Sequence, residues 1–154
     1  MHIRPLTHDD LDTASSLCMA AFMASVAPTL GDEGIATFQK IAAADAFAMR
    51  KDQDNVMLLA EVANQVIGLI ELKQGRHIAM LFIAPGQQRS GVGRRLVAEA
   101  LNHARGDQVT VSASLPSVPA YLSYGFHCSG DVAESAGLVY QPMERRLLPQ
   151  PERG

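Results

Sequence analysis

Apolar positions in the first third of the chain recur at the spacing of one helix face. Thr7, with Asp10 three residues later, has the arrangement of a helix N-cap, and the helix it opens should end before Pro28. Residues 31–52 repeat the same period behind an acidic start. We therefore expect a short first strand followed by two helices. The apolar positions that predict them are Leu11, Ala14, Leu17, Cys18, Ala21 and Phe22 in the first and Ile35, Phe38, Ile41, Ala42 and Phe47 in the second.

The middle of the chain changes to β-rich runs. Residues 55–63, 65–73 and 77–85 are dominated by Val, Ile, Leu and Phe and are separated by short turn-forming pairs, so we predict an antiparallel meander. Helical periodicity returns from Val92 and ends around Gly106, directly before a β-rich run over 108–114. A strand, a helix and a second strand in this order predict one parallel pairing.

The last third predicts a short helix and a closing hairpin. Pro119 suits the first turn of a helix over 116–125, and the runs 126–132 and 137–147 read as two strands. Together the elements predict a single mixed α/β domain of the α+β type, whose sheet is mostly antiparallel.

Composition narrows the classes of function. A chain of 154 residues with 47% hydrophobic residues can form one sizeable core. A net charge of -3 disfavours broad binding to nucleic acid or to an anionic membrane. The two cysteines and the five histidines lack ligand spacing, so we expect no metal site. The chain has neither a bilayer-spanning run nor a secretory signal pattern, which favours a cytoplasmic protein.

A glycine-rich turn joins the third meander strand to the basic helix. It reads Gln88-x-x-Gly91-x-Gly93, with Arg89, Arg94 and Arg95 adding positive charge beside it. Glycines let the backbone approach an anion, and amides at a helix start point toward it, so this turn can hold a pyrophosphate. The turn alone is also compatible with a simple strand-to-helix corner. The spacing of a dinucleotide-binding turn and the Gly-Lys-Ser/Thr of a Walker loop are both absent.

The turn becomes more specific in its context. A strand that ends in Ile83-Ala84-Pro85, the glutamine-glycine turn and a basic amphipathic helix together resemble motif A of the GNAT superfamily of N-acetyltransferases. Residues 114–126 are similar to a later family pattern, with Tyr121 and Gly125-Phe126 in place. Ser114 departs from the asparagine often found there. The resemblance implies a GNAT fold with a central sheet of six to seven strands and about four helices, in a domain over 1–147 with a flexible tail over 148–154.

The same resemblance implies a substrate pair and a cofactor site. It implies that acetyl-CoA and an amine acceptor bind, with the coenzyme pyrophosphate on the glycine turn and the pantetheine arm along the end of the third meander strand. The coenzyme-binding residues it implies are Leu81, Phe82, Ile83, Gln88, Arg89, Ser90, Gly91, Val92, Gly93, Arg94, Ser114 and Tyr121.

Three residues are candidates for catalysis. The resemblance implies Tyr121 as the acid that protonates the departing thiolate. His77, at the start of the strand that ends at Pro85, is one candidate base, since imidazole titrates near neutral pH. Glu71, on the adjacent strand, is a second candidate that could also attract a cationic amine.

These observations favour an N-acetyltransferase that acts on a primary amine of a small molecule, a peptide or a protein. Two alternatives remain: a non-catalytic module that binds or senses coenzyme A, and a cradle for another phosphate-bearing ligand. The closing hairpin of GNAT proteins often supplies an edge to a partner, and the apolar residues 137–143 are compatible with a homodimer.

Overall fold

One mixed sheet separates two layers of helices in the computed structural model, which describes residues 1–147. The strands are β1 His2–Pro5, β2 Asn55–Val62, β3 Gln65–Lys73, β4 His77–Ile83, β5 Gln108–Ser114, β6 His127–Cys128, β7 Ala133–Ser135 and β8 Leu138–Arg146. The helices are α1 Leu11–Ser25, α2 Asp32–Ile41, α3 Ala44–Lys51, α4 Val92–Leu101 and α5 Val118–Ser123. The mixed α/β class is confirmed, with one strand and one helix more than expected. The predicted tail, 148–154, lies outside the described residues.

The sheet follows the order β1-β2-β3-β4-β5-β8-β6, and β7 also pairs with β8. The predicted meander is confirmed, because β2, β3 and β4 pair antiparallel in sequence. The predicted parallel pairing joins β4 to β5. β8 pairs with β5 on one side and with β6 and β7 on the other. The apolar segment 137–143 contributes Leu138–Met143 to β8, which is already paired within the sheet.

The single helix expected over 31–52 is wrong, because the chain breaks into α2 and α3. Ala43 between them is extended, with φ of -63° and ψ of 146°. In one continuous helix Phe38 and Phe47, nine residues apart, would face about 180° away from each other at 3.6 residues per turn. The break lets both rings reach the interior, where Phe38 is 6% exposed and Phe47 is fully buried. Burial of both aromatic side chains thus overrides the local helical pattern.

Each face of the sheet has its own hydrophobic core. α4 and α5 pack on one face, where Leu96 of α4 and Tyr121 of α5 form a core with Val111 and Phe126. α1, α2 and α3 cover the other face with Phe22, Phe38 and Phe47. The longest helix of residues 1–147, α1, has 15 residues, and none of their helices is long and apolar enough to cross a membrane.

A buried ion pair between Arg50 of α3 and Glu71 of β3 links α3 to the sheet. Glu71 of β3 is 1% exposed, and both of its carboxylate oxygens accept from Arg50 Nε, at 3.0 and 3.2 Å. Arg50 Nη1 also donates to the carbonyl oxygen of Ile41 at 2.8 Å, which caps the end of α2. Desolvation raises the pKa of Glu71, and the charge of Arg50 opposes that rise. The guanidinium therefore lowers the free-energy cost of burying the Glu71 carboxylate. Its bonds to Glu71 and Ile41 also fix the α2–α3 corner.

We predict that Arg50→Met lowers the free energy of unfolding by about 3–5 kcal/mol at pH 7, because it leaves a buried carboxylate unpaired. Without the guanidinium, the folded-state pKa of Glu71 rises further above its unfolded value. The folded state then binds more protons than the unfolded state, so stability falls as pH rises through that interval. Urea unfolding should show the loss shrinking as pH falls toward about 5, near the ordinary carboxyl range.

Arg105→Met is the matched control, because Arg105 pairs with Asp54 at 2.6 Å on the surface, with both side chains more than half exposed. It should cost less than about 1 kcal/mol. The double variant Arg50→Met with Glu71→Leu should recover much of the lost stability. A loss for Arg50→Met no larger than that of the control would contradict the structural role of the pair.

Candidate functional site

The site forms where the parallel strands β4 and β5 separate. They pair only at their starts, His77 with Thr110 and Ile78 with Val111. Beyond Ile78, β4 continues to Ile83 paired to β3 alone, with an irregularity in the register at the step from Glu71 to Leu72. The β5-facing edge of β4 is therefore without a strand partner, and its backbone groups line a gap that an extended ligand could fill.

The glycine turn lies at the outer end of this gap. Gly91 precedes α4 with φ of 86°, a left-handed conformation that favours glycine. Within the described residues, the first amide of α4 that donates to a backbone carbonyl is that of Arg95, which reaches Gly91 at 3.1 Å. The amides before Arg95 at this helix start have no intrahelical acceptor and carry the positive end of the helix dipole. The turn has the geometry of an anion site.

α5 forms the opposite side of the turn. Arg94 Nη1 donates to the carbonyl oxygen of Ser123 at 3.1 Å, and its guanidinium lies 5.5 Å from the ring centroid of Tyr124. The Tyr124 hydroxyl lies so close to Gly93 that a Cβ there would collide with it. Glycine at this position thus lets α4 and the end of α5 approach each other, with a cation held between them.

A cleft with a volume of about 710 Å³, here called the cradle cleft, runs from this turn to the end of β4. It is lined by α1 and α5 as well as by the turn. Nine of the residues that the sequence assigned to the coenzyme line it: Leu81, Phe82, Ile83, Gln88, Arg89, Gly91, Gly93, Arg94 and Tyr121. The structure therefore brings most of the predicted site together along one surface.

A second cavity of about 360 Å³, here called the inner chamber, lies between α1, α2, β4, β5 and β8. Its wall includes Phe22, Phe38 and Leu138. The two cavities share lining residues, among them Leu81, Phe82, Ser117 and Tyr121. A ligand in the cradle cleft would thus meet a ligand in the inner chamber at the unpaired end of β4.

Tyr121 lies at this junction and is 4% exposed. Its ring is edge-on to Tyr124 and to Phe126, with centroids 5.8 and 5.4 Å away. Burial raises the pKa of Tyr121 well above its ordinary value, with Tyr124 adding to the rise. The phenol is therefore neutral near pH 7 and keeps its proton on the hydroxyl.

Three predicted coenzyme residues do not line the cradle cleft. Val92 is buried in the core beneath α4. Ser90 Oγ donates to the carbonyl oxygen of Gln87 at 2.6 Å and so shapes the turn. Ser114 lines the inner chamber instead, where its hydroxyl lies 2.6 Å from that of Ser117.

His77 lines neither cavity, although the next residue, Ile78, lines the inner chamber. His77 lies at the first position of β4, at the opposite end from Ile83, and its Nδ1 lies 2.8 Å from Thr110 Oγ1. Burial lowers the pKa of His77, and the charge of Lys73 lowers it further. The side chain packs where β4 and β5 are still paired, so the geometry does not bring it to the reacting atoms.

Glu71, the other candidate base, also lines neither cavity. Its carboxylate accepts hydrogen bonds from Arg50 beneath α3, so its role is to stabilise the fold. Strand alternation alone could not reveal this, because the partner lies 21 residues earlier in the chain. Among residues 1–147, no three His, Cys, Asp or Glu side chains are grouped so as to hold a metal ion.

Several residues that line the two cavities were not predicted as site residues from the sequence. Tyr124 and Ser117 flank Tyr121, and Phe22 and Phe38 come from the first two helices. The signal for Tyr124 was its position one helical turn after Tyr121. Phe22 and Phe38 read as ordinary core residues, since apolar periodicity does not distinguish a packed face from a cavity wall.

Solved structures confirm the architecture. A GCN5-related N-acetyltransferase from Rhodopseudomonas palustris aligns with a TM-score of 0.79 at 19% identity, over 95% of each chain. The PaiA N-acetyltransferase from Thermoplasma acidophilum, solved with coenzyme A, aligns with a TM-score of 0.76 at 20% identity, over 94% of this chain and 98% of that one. The ribosomal-protein-alanine N-acetyltransferase from Brucella melitensis gives 0.66 at 21% identity, over 96% and 100%. At these identities the likeness establishes the fold.

The sequence itself supplies the family. No curated protein matches the chain significantly. The family model of the acetyltransferase (GNAT) domain matches residues 26–147, which include the glycine turn, the unpaired end of β4 and Tyr121. The chain therefore belongs to the GNAT family of acetyltransferases.

Proposed function

We propose that this domain transfers the acetyl group of acetyl-CoA to a primary amine, with the coenzyme in the cradle cleft and the amine in the inner chamber. The observation that supports this best is the junction of the two cavities at Leu81, Phe82 and Tyr121. A thioester that enters from one side can meet a nucleophile that enters from the other, and the buried phenol lies between them.

The cradle cleft suits each part of coenzyme A. The helix-start amides and the guanidinium of Arg94 suit the pyrophosphate, with Arg89 adding a second cation at the mouth. The unpaired edge of β4 over Leu81–Ile83 can hydrogen-bond the amides of the pantetheine arm as a strand would. A backbone N–H of this segment is also the group we propose for stabilising the oxyanion.

The reaction needs only groups of this junction. The neutral amine nitrogen attacks the thioester carbon, a C–N bond forms, and the carbonyl oxygen becomes an oxyanion. Its collapse breaks the C–S bond, and the departing thiolate takes the proton of the Tyr121 hydroxyl. The proton that the nitrogen loses returns to the phenolate directly or through water, which leaves an amide and free coenzyme A.

The structural neighbours do not select an acceptor. Their names include aminoglycoside, spermidine and ribosomal-protein-alanine acetyltransferases, so one fold accompanies several acceptors. We propose a cytoplasmic location, because Cys18 and Cys128 are both free thiols. A homodimer would use the outer edges of β6 and β7, since β8 is already paired on both sides.

We predict that Arg94→Ala raises KM for acetyl-CoA about 10- to 100-fold, because it removes a charge-assisted contact to the pyrophosphate. Arg95→Ala is the matched control. Arg95 is also exposed on the first turn of α4, but it lies outside the cradle cleft and its Nη1 reaches the carbonyl oxygen of Met1. Thiol release from acetyl-CoA with a saturating amine measures both variants. Equal KM values for the two would refute the assignment of the cradle.

We predict that Tyr121→Phe lowers kcat about 10²- to 10⁴-fold with little change in KM for acetyl-CoA, because the phenyl ring keeps the packing and loses the acid. His77→Ala should change kcat less than about threefold, since His77 lies outside both cavities. A large loss in His77→Ala would restore that residue as the base. If acetyl-CoA raises Tm and no amine releases thiol, the domain is a coenzyme-binding module without turnover.

A further inference from the structure

We infer that the inner chamber selects an amine with an apolar or aromatic body and no second cationic centre, and that this amine reacts after losing its proton to solvent. The inference rests on the proposed function, because it takes the inner chamber as the acceptor site. It goes beyond that function by naming the class of acceptor. Three observations carry it: the aromatic wall, the uncharged lining, and the fact that neither Glu71 nor His77 belongs to that lining.

The wall is aromatic and aliphatic. Phe22 of α1 and Phe38 of α2 stack with centroids 4.0 Å apart and planes 9° from parallel, and Phe82 of β4 meets Phe38 edge-on at 5.3 Å. Leu30 and Leu138 extend this surface. Burial of an apolar ligand against this wall is favourable, whereas a hydrated charge would lose its water and find no polar partner on it.

The lining carries no charged side chain among the described residues. α2 contributes the hydroxyl of Thr37, which already donates to the carbonyl oxygen of Ala136 at 2.6 Å. β5 contributes Ser112 and Ser114, and β7 contributes Ser135. A second ammonium group on the acceptor would lose its water here and find no carboxylate, which is strongly unfavourable.

The titratable side chains that line the chamber are two phenols, Tyr121 of α5 and Tyr140 of β8; α1, α2, β4 and β5 add none within residues 1–147. The carboxylate of Glu71 accepts from Arg50 and lines neither cavity. His77 lies beside the lining residue Ile78, but it lines neither cavity and its Nδ1 lies 2.8 Å from Thr110 Oγ1. A bound ammonium ion therefore meets no ionised base. The acceptor must arrive as the free amine, and its neutral fraction enters kcat/KM directly.

Amine basicity then becomes a determinant of specificity. An α-amino group has a pKa near 7.7–8.0, whereas an alkylammonium such as that of lysine titrates near 10.4, so at pH 7 the neutral fractions differ about 300-fold.

Four probe amines separate these effects at saturating acetyl-CoA, with free thiol as the readout. L-Phenylalaninamide and L-lysinamide share the α-amino group and differ in an aromatic against a cationic side chain. We expect kcat/KM for phenylalaninamide to exceed that for lysinamide and for spermidine at least 100-fold at pH 7. 2-Phenylethylamine keeps the aromatic body but is an alkylamine, so it should be at least tenfold poorer than phenylalaninamide at pH 7.

The pH profile tests the missing base. For 2-phenylethylamine, kcat/KM should rise about tenfold per unit between pH 7 and 9, while for phenylalaninamide it should level off near pH 8. A profile for 2-phenylethylamine that is flat or levels near pH 7 would show a base in the enzyme and overturn the inference.

Ser135 is exposed and lines the chamber, so a carboxylate can be introduced at this position. A carboxylate there should reverse the preference against an acceptor with a second cationic group. Ser135→Asp should raise the ratio of lysinamide to phenylalaninamide turnover at least tenfold. Ser135→Asn, which has the same shape without the charge, should keep that ratio within about threefold of the parent. An unchanged ratio in Ser135→Asp overturns the inference, provided that acetyl-CoA still raises its Tm.

The outcomes also separate this inference from the proposed function. If spermidine or lysinamide is the better acceptor, the domain is an amine acetyltransferase and only the acceptor class is wrong. If acetyl-CoA raises Tm and none of the four amines releases thiol, the acceptor class is wrong, and the proposed transfer fails as well only if no other amine releases thiol.

Discussion

The separation of β4 from β5 is the constraint on which the rest of the site depends. Two parallel strands that stayed paired would satisfy each other's backbone groups and leave no edge for a ligand. Here pairing stops after Ile78 and Val111, where the register between β3 and β4 also shifts, and α4 and α5 pack on one face of the sheet. The cradle cleft and the inner chamber meet at this opening. The unpaired edge of β4 and the first amides of α4 therefore leave backbone hydrogen-bonding groups free for a ligand.

The two helical layers then give the cavities opposite characters. The layer with α4 and α5 supplies the helix-start amides and the guanidinium of Arg94, which suit a polyanion. The layer with α1 and α2 supplies stacked phenylalanines, which suit an apolar body. The break at Ala43 contributes to this division, since it lets Phe38 and Phe47 both turn inward. Charge and hydrophobicity are thus sorted by the face of the sheet to which each element packs.

The buried pair of Arg50 and Glu71 shows how far candidate chemistry can be predicted. An acidic residue on a strand beside the cleft is a reasonable base from sequence alone. Its carboxylate is held at 3.0 Å by an arginine from α3, so its role is to fix the α2–α3 corner. His77 shows the same limit, because its place at the start of β4 was predicted correctly, yet its Nδ1 lies 2.8 Å from Thr110 Oγ1 and it lines neither cavity. A sequence pattern predicts the secondary-structure element on which a residue lies, but not which distant residues its side chain contacts.

The sequence by itself determined the order of elements, the meander, the single parallel pairing and the glycine turn. Each of these depends on neighbours within a few residues: periodicity, capping and the conformational freedom of glycine. Tertiary structure alone decided where α2 ends, which edge of the sheet is free, and that the chamber beside Tyr121 is uncharged. Those properties arise from side chains as distant as Phe22 and Tyr140, and only packing sets what such residues share.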